Sequence, residues 1–303
     1  MRFFNTQILT PNSFTAMAAH ESIHEYYLHQ HRNIEHYLEL CLSHPEVELV
    51  HELRLSIKKL RAFHKLAEQL FSEDQAEPVY IKHRVRQLYK VAGQLRDTQV
   101  QIHLLTAFEE QTGIEYAEFG KWLLKREKKR ISRFGRKPKH LVPHSTNQRT
   151  HERIGSLLSQ TTDEAILYGA GRALAGLYLK AQKLSIGDMN DQNLHLIRTL
   201  TKQMKYIFNI MHHSYSDFVF REISVAELHE IEVAAGHWHD NLIRIELLEK
   251  FMDKMRAEDE IEKFKYQKLF GACKSELDIS YNDTYRIVRK ALSPQNQVNE
   301  SVS

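Results

Sequence analysis

The amino-acid sequence predicts an all-α fold, and three observations support this prediction. The six prolines, at positions 11, 45, 78, 138, 143 and 294, all lie where a helical pattern lapses. Proline lacks an amide donor and clashes with the preceding turn, so it marks helix boundaries. No run of alternating Val, Ile and Thr predicts a sheet. Finally, the chain repeats itself, and each copy has room for four helical segments.

The internal repeat appears in two separate segments. Residues 51–71 (HELRLSIKKLRAFHKLAEQLF) resemble residues 195–215 (HLIRTLTKQMKYIFNIMHHSY) at a shift of 144. Residues 92–97 (AGQLRD) resemble residues 235–240 (AGHWHD) at a shift of 143. So nearly constant a shift indicates duplication of a unit of about 140 residues, which is far longer than a solenoid repeat.

The predicted elements follow in order along the chain. Apolar periodicity predicts helices over 13–43, 46–71, 78–112, 115–134, 161–184, 190–215, 219–255 and 258–278, and a short tail helix near 281–292. Ser13 and the segment from Asp188 to Asp191 supply N-terminal caps. Four helices per copy favour a four-helix bundle, so we expect one bundle over 13–135 and another over 161–280. Residues 136–160 predict a basic linker, and residues 281–303 a tail helix with a frayed end.

Composition bounds the class of protein. The 303 residues are 42% hydrophobic and 27% charged, as in a globular protein. No stretch approaches the roughly 20 apolar residues of a membrane span, and the first residues lack the pattern of a secretory signal. Cys41 and Cys273 are too few for a disulfide framework, so we expect two reduced, buried thiols. These features predict a cytoplasmic protein without a membrane partner.

Charge is unevenly distributed. Residues 1–150 carry 23 Lys and Arg against 17 Asp and Glu, whereas the remainder carries 19 against 22. Ten cations fall within residues 121–139. Such clustering indicates a polyanionic partner, although a solvated basic helix end would give the same composition.

Each copy places a row of cations on one helix face. The first basic row follows i, i+3, i+7, i+10, i+14 spacing and consists of His51, Arg54, Lys58, Arg61 and Lys65. The second basic row consists of His195, Arg198, Lys202 and Lys205. Apolar residues beside the rows predict the core stripes: Leu53, Ile57, Leu60, Phe63 and Ala67 in the first copy, and Ile197, Leu200, Met204, Ile207 and Phe208 in the second.

The rows have the chemistry of an anion site. Neighbouring like charges repel by a few tenths of a kcal/mol, and almost no glutamate follows at i±4, so we expect the rows to be uncompensated. Arginine offers a planar fork of donors to phosphate oxygens, and lysine a point charge. Histidine beside phosphate is favoured in its protonated form. A solvated face is the simpler alternative, but recurrence in matched register argues against it. Further cations extend the set: Lys59, Lys82, Arg86, Lys90, Lys121, Lys125 and Lys129.

The second repeated element contains glycine within a helix. Gly93 and Gly236 each cost about 1 kcal/mol relative to alanine, so we expect a close helix approach or a kink there. Arg96 and His239 follow three residues later and can complete the anion site. Asp97 and Asp240 are expected to orient a neighbouring Arg or His, whereas a catalytic or metal-binding role is the less favoured alternative.

At these residues the sequence resembles the CHAD family, the conserved histidine α-helical domain. The likeness lies in the His-x-x-Arg helix with its basic doublet at Lys58 and Lys59 and in the Gly-x-x-Arg-Asp element, and it covers roughly residues 14–280. The resemblance implies two four-helix bundles related by pseudo-twofold symmetry, with basic surfaces lining a central groove or pore. It also implies binding of inorganic polyphosphate and association with polyphosphate granules.

The second copy departs from this pattern. It has Lys202-Gln203 in place of the basic doublet, Lys205 in place of the last Arg, and His239 where the first copy has Arg96. Its third helix also carries four glutamates, so we expect weaker binding by this half: Glu222, Glu227, Glu230 and Glu232. The sequence shows no Glu-x-Glu-x-Lys signature of the catalytic domain that is often fused to this family.

Parts of the sequence are compatible with three other functions. His20 to His24 fits the His-Glu-x-x-His zinc motif, but Tyr27 and Gln30 occupy the Gly and third-His positions of its extended form. Nucleic-acid binding is the main alternative, although exposed aromatics do not interleave the rows. A phosphohydrolase or phosphotransferase would need paired carboxylates for magnesium. Together with what the family resemblance implies, the sequence therefore predicts a non-enzymatic polyphosphate-binding protein with no cofactor or metal.

Overall fold

The computed structural model describes residues 18–71, 83–136, 144–255 and 260–293. These residues form nine α-helices and no strand, which confirms the all-α prediction. The helices are α1 (Ala19–Ser43), α2 (Val47–Leu70), α3 (His83–Thr112), α4 (Ala117–Arg136), α5 (His144–Ser159), α6 (Asp163–Ile186), α7 (Asp191–Ser214), α8 (Val225–Met252) and α9 (Glu260–Ala291).

Side-chain caps set several helix starts. The Asn190 side chain accepts a hydrogen bond from the backbone N–H of Asn193 at 3.0 Å, as the sequence predicted for the segment before α7. Ser224 and Glu227 form a capping box at the start of α8. That helix therefore begins at Val225, not at 219. The predicted cap Ser13 lies outside the described residues.

Two other predicted boundaries were wrong. The stretch expected to be a linker contains α5, whose Ile154 and Leu158 are fully buried. The predicted helix at 258–278 and the tail helix are one continuous helix, α9, with Thr284 buried near its C-terminal end. Both segments are polar in composition, and each helix has only a narrow apolar face, so the sequence pattern did not predict these helices correctly.

The helices pair in the same order in the two halves. Helix α1 packs on α2, α2 on α3 and α3 on α4; likewise α6 packs on α7, α7 on α8 and α8 on α9. The halves meet where α2 contacts α6 and α7, where α1 contacts α7, and where α3 contacts α8. The extra helix α5 packs on α1.

Two hydrophobic cores each combine residues of both halves. The larger core includes Phe63 from α2 and Met204 from α7. The smaller one joins Phe119 of α4 with Phe251 of α8 and Tyr266 of α9. The division at residues 135 and 161 therefore stays a prediction. Among the described helices, none is both long and apolar enough to cross a membrane.

Candidate anion-binding site

The two basic rows meet where α2 packs on α7. The predicted core stripes are confirmed on both helices, since all ten of their residues are buried. Lys58 of the first row lies within electrostatic reach of Lys202 and Arg198 of the second. Burial, followed by the charges of Lys202, Arg54 and Arg198, lowers the pKa of Lys58 to about 7. The packing of the two halves thus concentrates positive charge in one place.

Uncharged groups hold the arginines of the first row. Arg54 Nη1 donates to the backbone oxygen of Tyr89 on α3 at 3.1 Å. The Arg54 Cζ atom lies 4.6 Å from the centroid of the Tyr89 ring, and Arg61 Cζ lies 5.3 Å from it. These are cation–π distances, so the aromatic face fixes both guanidinium groups without neutralising them.

Gly93 makes this arrangement possible. A Cβ atom at this position would lie 2.2 Å from Arg54 Nη1, which is too close for two non-bonded atoms. The glycine therefore lets the guanidinium reach the backbone of α3, where a larger residue would exclude it. At Gly236, the matching glycine of the second half, a Cβ atom would meet nothing within 4 Å. The expectation of a close approach is confirmed at the first glycine alone.

A carboxylate neutralises part of the second row. Glu232 on α8 places Oε1 3.4 Å from Lys202 Nζ and pairs Oε2 with Lys205 Nζ. The side chains of Glu232, Lys202 and Lys205 are 20%, 15% and 23% exposed, so solvent screens these pairs little. In the first row, Lys65 pairs with Glu68 at 2.6 Å. The expectation that both rows are uncompensated was therefore wrong for these three lysines.

The histidines of the rows favour the neutral form. Burial and the neighbouring Arg96 and Lys58 lower the pKa of His51, and burial and Arg198 lower that of His195. The ring of His195 lies 5.3 Å from that of His239, whose pKa burial, Arg198 and His195 lower to about 3. Neutral histidine is what a site crowded with cations favours before an anion arrives.

Two aspartates lie among these cations. Burial raises the pKa of both Asp97 and Asp240, and the positive charges of Arg54 and Arg198 act against it. The charge of Asp240 also raises the pKa of Asp97, and cations of the opposite half act on both: Arg198 lowers the pKa of Asp97, and Arg96 lowers that of Asp240. Their predicted role in orienting a particular Arg or His stays a prediction.

The second half of the site contains two buried nitrogen atoms that are not hydrogen-bonded within the part of the chain that the structure describes. Arg198 Nε and His239 Nδ1 are buried polar atoms that have no hydrogen-bond partner among the described residues. Burial also lowers the pKa of Arg198, because its guanidinium is largely removed from water. A buried unsatisfied donor is costly, and an acceptor brought by a ligand would relieve that cost.

The remaining predicted residues are more dispersed. Lys59 is half-buried beside the first row, and Lys82 lies outside the described residues. Exposed positions on α3 and α4 are occupied by Arg86, Lys90, Lys121, Lys125 and Lys129. Lys121 pairs with Glu118 at 2.7 Å. Participation of these lysines and arginines in the site stays a prediction.

Sequence reasoning missed two residues that shape the site. Arg130 of α4 donates to the side-chain oxygen of Gln94 at 2.6 Å, next to the glycine element of α3. It belongs to the ten-cation segment, but the spacing of Lys121, Lys125 and Lys129 drew attention to another face of α4. Tyr89 carried no signal in the sequence, because its contacts with the first row depend on how α3 packs on α2.

The His-Glu-x-x-His motif at residues 20–24 makes packing contacts in the structure. His24 Nε2 lies 3.1 Å from the backbone oxygen of His151, and the His24 ring stacks 6.3 Å from Tyr27. Across the described ranges, no three His, Cys, Asp or Glu side chains are grouped so that they could hold a metal. Cys41 and Cys273 are buried free thiols.

Known proteins were compared with this chain by family model, by sequence and by structure. The family model of the CHAD domain matches residues 25–249. The crystal structure of the CHAD domain from the plant Ricinus communis is similar over 95% of this chain and 96% of its own, with 15% identity and a TM-score of 0.63. PptA from Streptomyces chartreusis is similar over 89% and 99%, with 14% identity and a TM-score of 0.61. No curated protein matches this chain in sequence.

Proposed function

Because the chain belongs to the CHAD domain family, we propose that it binds inorganic polyphosphate at the junction of α2 and α7. The observation that carries this proposal is the meeting of two cationic rows from separate halves. Burial at this place, together with the charges of Lys202, Arg54 and Arg198, lowers the pKa of Lys58 to about 7. So much positive charge in a partly desolvated place is unfavourable without an anion. A polymer with one negative charge per repeating phosphate supplies many charges at close spacing.

The proposed contact residues come from both halves. His51, Arg54, Lys58, Arg61 and Arg96 contribute from the first, and His195, Arg198, Lys202, Lys205 and His239 from the second. We propose that two four-helix units related by pseudo-twofold symmetry carry these rows, in support of which the helices pair in the same order in each half. The rows would then line a groove or pore that a phosphate chain follows.

Binding without turnover is part of the proposal. The rows supply positive charge and hydrogen-bond donors, which suffice to hold a polyanion. We propose that the protein acts as a non-enzymatic binder in the cytoplasm, on polyphosphate granules. Incubation with polyphosphate and magnesium is expected to release no phosphate above the buffer control.

Charge reversal at the paired arginines tests the proposal. The double variant Arg54→Glu with Arg198→Glu is expected to lose polyphosphate binding, measured by calorimetry, while its circular dichroism stays helical. The exposed pair Arg286→Glu with Lys290→Glu at the end of α9 makes the same change of net charge away from the rows and is the matched control. Retained affinity in the first variant would contradict the assignment.

A competition experiment separates polyphosphate from nucleic acid. The same cations could follow a sugar-phosphate backbone, and both ligands give affinities that fall steeply with salt. Long-chain polyphosphate is expected to displace single- and double-stranded DNA from the protein at equal phosphate concentration. Failure to displace either would favour a nucleic-acid ligand.

A further inference from the structure

The helix that packs on each basic row carries a different residue in the two halves at one repeated position. Glu232 lies four residues before Gly236 on α8, and Tyr89 lies four residues before Gly93 on α3. The duplication therefore makes them equivalent. Tyr89 meets Arg54 and Arg61 with its ring. Glu232 contacts α7, the corresponding helix of the second half, through its carboxylate.

The contacts of Glu232 are those of a bound anion. Its two oxygens divide between two amines, Oε1 at 3.4 Å from Lys202 Nζ and Oε2 on Lys205 Nζ. One oxygen to each of two lysines is also how a phosphate group would bridge them. No residue of α7 itself supplies this counter-charge; it comes across the helix interface from α8.

We propose that Glu232 is an intramolecular competitor for the anion site. Its carboxylate occupies the place between Lys202 and Lys205 that a phosphate group takes when the second basic row binds. This inference rests on the proposed function, and it assigns the weaker binding expected of the second half to one side chain. At the equivalent position of the first half, Tyr89 places a ring and not a carboxylate against Arg54 and Arg61, so a polyphosphate chain engages these arginines first.

The competition is present throughout the physiological pH range. Burial alone would raise the pKa of Glu232, but the hydrogen bond from Lys205 and the charge of Lys202 hold it below its ordinary value. The carboxylate is therefore ionised at neutral pH and in mild acid. Displacing it requires a ligand whose charges outcompete one carboxylate, which favours a long polyanion over orthophosphate.

The test compares affinities of full-length variants for inorganic polyphosphate of one average length. Glu232→Gln is expected to lower the Kd by about 3- to 10-fold, because two partly buried lysines lose their internal partner. Glu230→Gln is the matched control: it changes net charge equally, on the same helix, at an exposed position two residues away. The control is expected to change the Kd by less than about twofold.

Further measurements distinguish competition from a change in folding. Glu232→Gln is expected to steepen the dependence of Kd on salt, because Lys202 and Lys205 then neutralise phosphates. Lys205→Met is expected to weaken binding in the wild-type protein, and by a larger factor in the Glu232→Gln background, where the carboxylate no longer competes for the lysine. If Glu232→Gln folds poorly by circular dichroism, Glu232→Tyr, which installs the first-half residue, replaces it in the same comparison.

The outcomes separate this inference from the proposed function. Wild-type protein that does not bind polyphosphate overturns both. Wild-type protein that binds, with Glu232→Gln and Glu230→Gln giving equal affinity and equal salt dependence, overturns the competitor role alone. Tighter binding by Glu232→Gln, with additive effects of Lys205→Met, also overturns it, since the lysines would then not be the groups released.

Discussion

The two basic rows carry similar cations but have different neighbours. In the first half, the carbonyl and ring of Tyr89 hold Arg54, and Gly93 leaves room for it. In the second half, the Glu232 carboxylate pairs with Lys202 and Lys205. At this repeated position, the adjacent helix decides whether the cations of a row meet an aromatic ring or a carboxylate. A duplicated site can keep its cations and still diverge through one residue on the adjacent helix.

The largest expected difference in affinity is between alanine substitutions at the two repeated glycines, Gly93 and Gly236. Gly93→Ala would place a Cβ atom where Arg54 Nη1 lies, and the flexible guanidinium is expected to move away. Loss of a hydrogen bond to a charged group costs roughly 1.5–3 kcal/mol, so polyphosphate Kd is expected to rise about 10-fold or more. Calorimetric titration measures this, with helicity checked by circular dichroism.

Gly236→Ala is the control for that comparison. A Cβ atom there meets nothing within 4 Å, so the substitution leaves the second row undisturbed. Alanine in place of a helical glycine is expected to stabilise the protein by roughly 0.5–1 kcal/mol in thermal or urea unfolding, with affinity unchanged. Equal affinities of the two alanine variants would show that the position of Arg54 has no importance for binding.

A second prediction concerns the lysines at the same position of each row. Lys58 has a pKa of about 7, lowered by burial and by Lys202, Arg54 and Arg198. Bound phosphate favours the charged amine, so its pKa is higher in the complex. The contribution of Lys58 is therefore complete below about pH 7 and lost as pH rises. We expect the Kd to increase several-fold between pH 6.5 and 9, with proton uptake on binding near pH 7.5.

Arginine substitution identifies the group responsible. Lys58→Arg keeps a charge that does not titrate in this range, so the pH dependence is expected to flatten. The equivalent lysine of the second row, Lys202, has Glu232 as a partner that raises its pKa against burial. Lys202→Arg should thus leave the transition near pH 7 in place. A transition that survives Lys58→Arg would assign the titration to another group.

The sequence was sufficient for the features that repeat within one helix. The basic rows and their core stripes follow from periodicity alone, because residues three and four apart share a face. The roles of Tyr89 and Glu232 were not predictable, since they depend on how α3 and α8 pack on neighbouring helices. Three of the four glutamates named from the sequence lie on α8, and only packing distinguishes Glu232 at the lysines from Glu227 in the capping box.

The smallest effect on binding, and a distinct one on stability, concerns a buried histidine of the first half whose repeat position in the second half holds no histidine. His64 in α2 is 9% exposed, and burial together with His31 lowers its pKa to about 3. Burial and His151 of α5 likewise lower the pKa of His31 to about 3. Phe208 occupies the position of His64 in the repeat. Acid should therefore act at this position in the first half but not at its counterpart in the second.

The sign of this effect follows from the direction of the shift. Such a histidine has a lowered pKa in the folded protein and an ordinary pKa in the unfolded chain. Its contribution to stability is complete above about pH 6.5 and is lost as pH falls toward 3. Each pH unit in that interval removes up to roughly 1.4 kcal/mol per histidine. His64→Phe is expected to reduce the loss of Tm between pH 7 and 4.5 and to leave polyphosphate affinity at pH 7.5 unchanged.

The reciprocal substitution completes the comparison of the halves. Phe208→His places a titratable ring at a position that is 3% exposed. It should make the variant more acid-sensitive than the wild type, because a further neutral histidine must then be protonated on unfolding. Parallel Tm profiles for the wild type, His64→Phe and Phe208→His would mean that acid acts on neither site. Opposite changes in slope would place the difference in acid stability at this one pair of repeated positions.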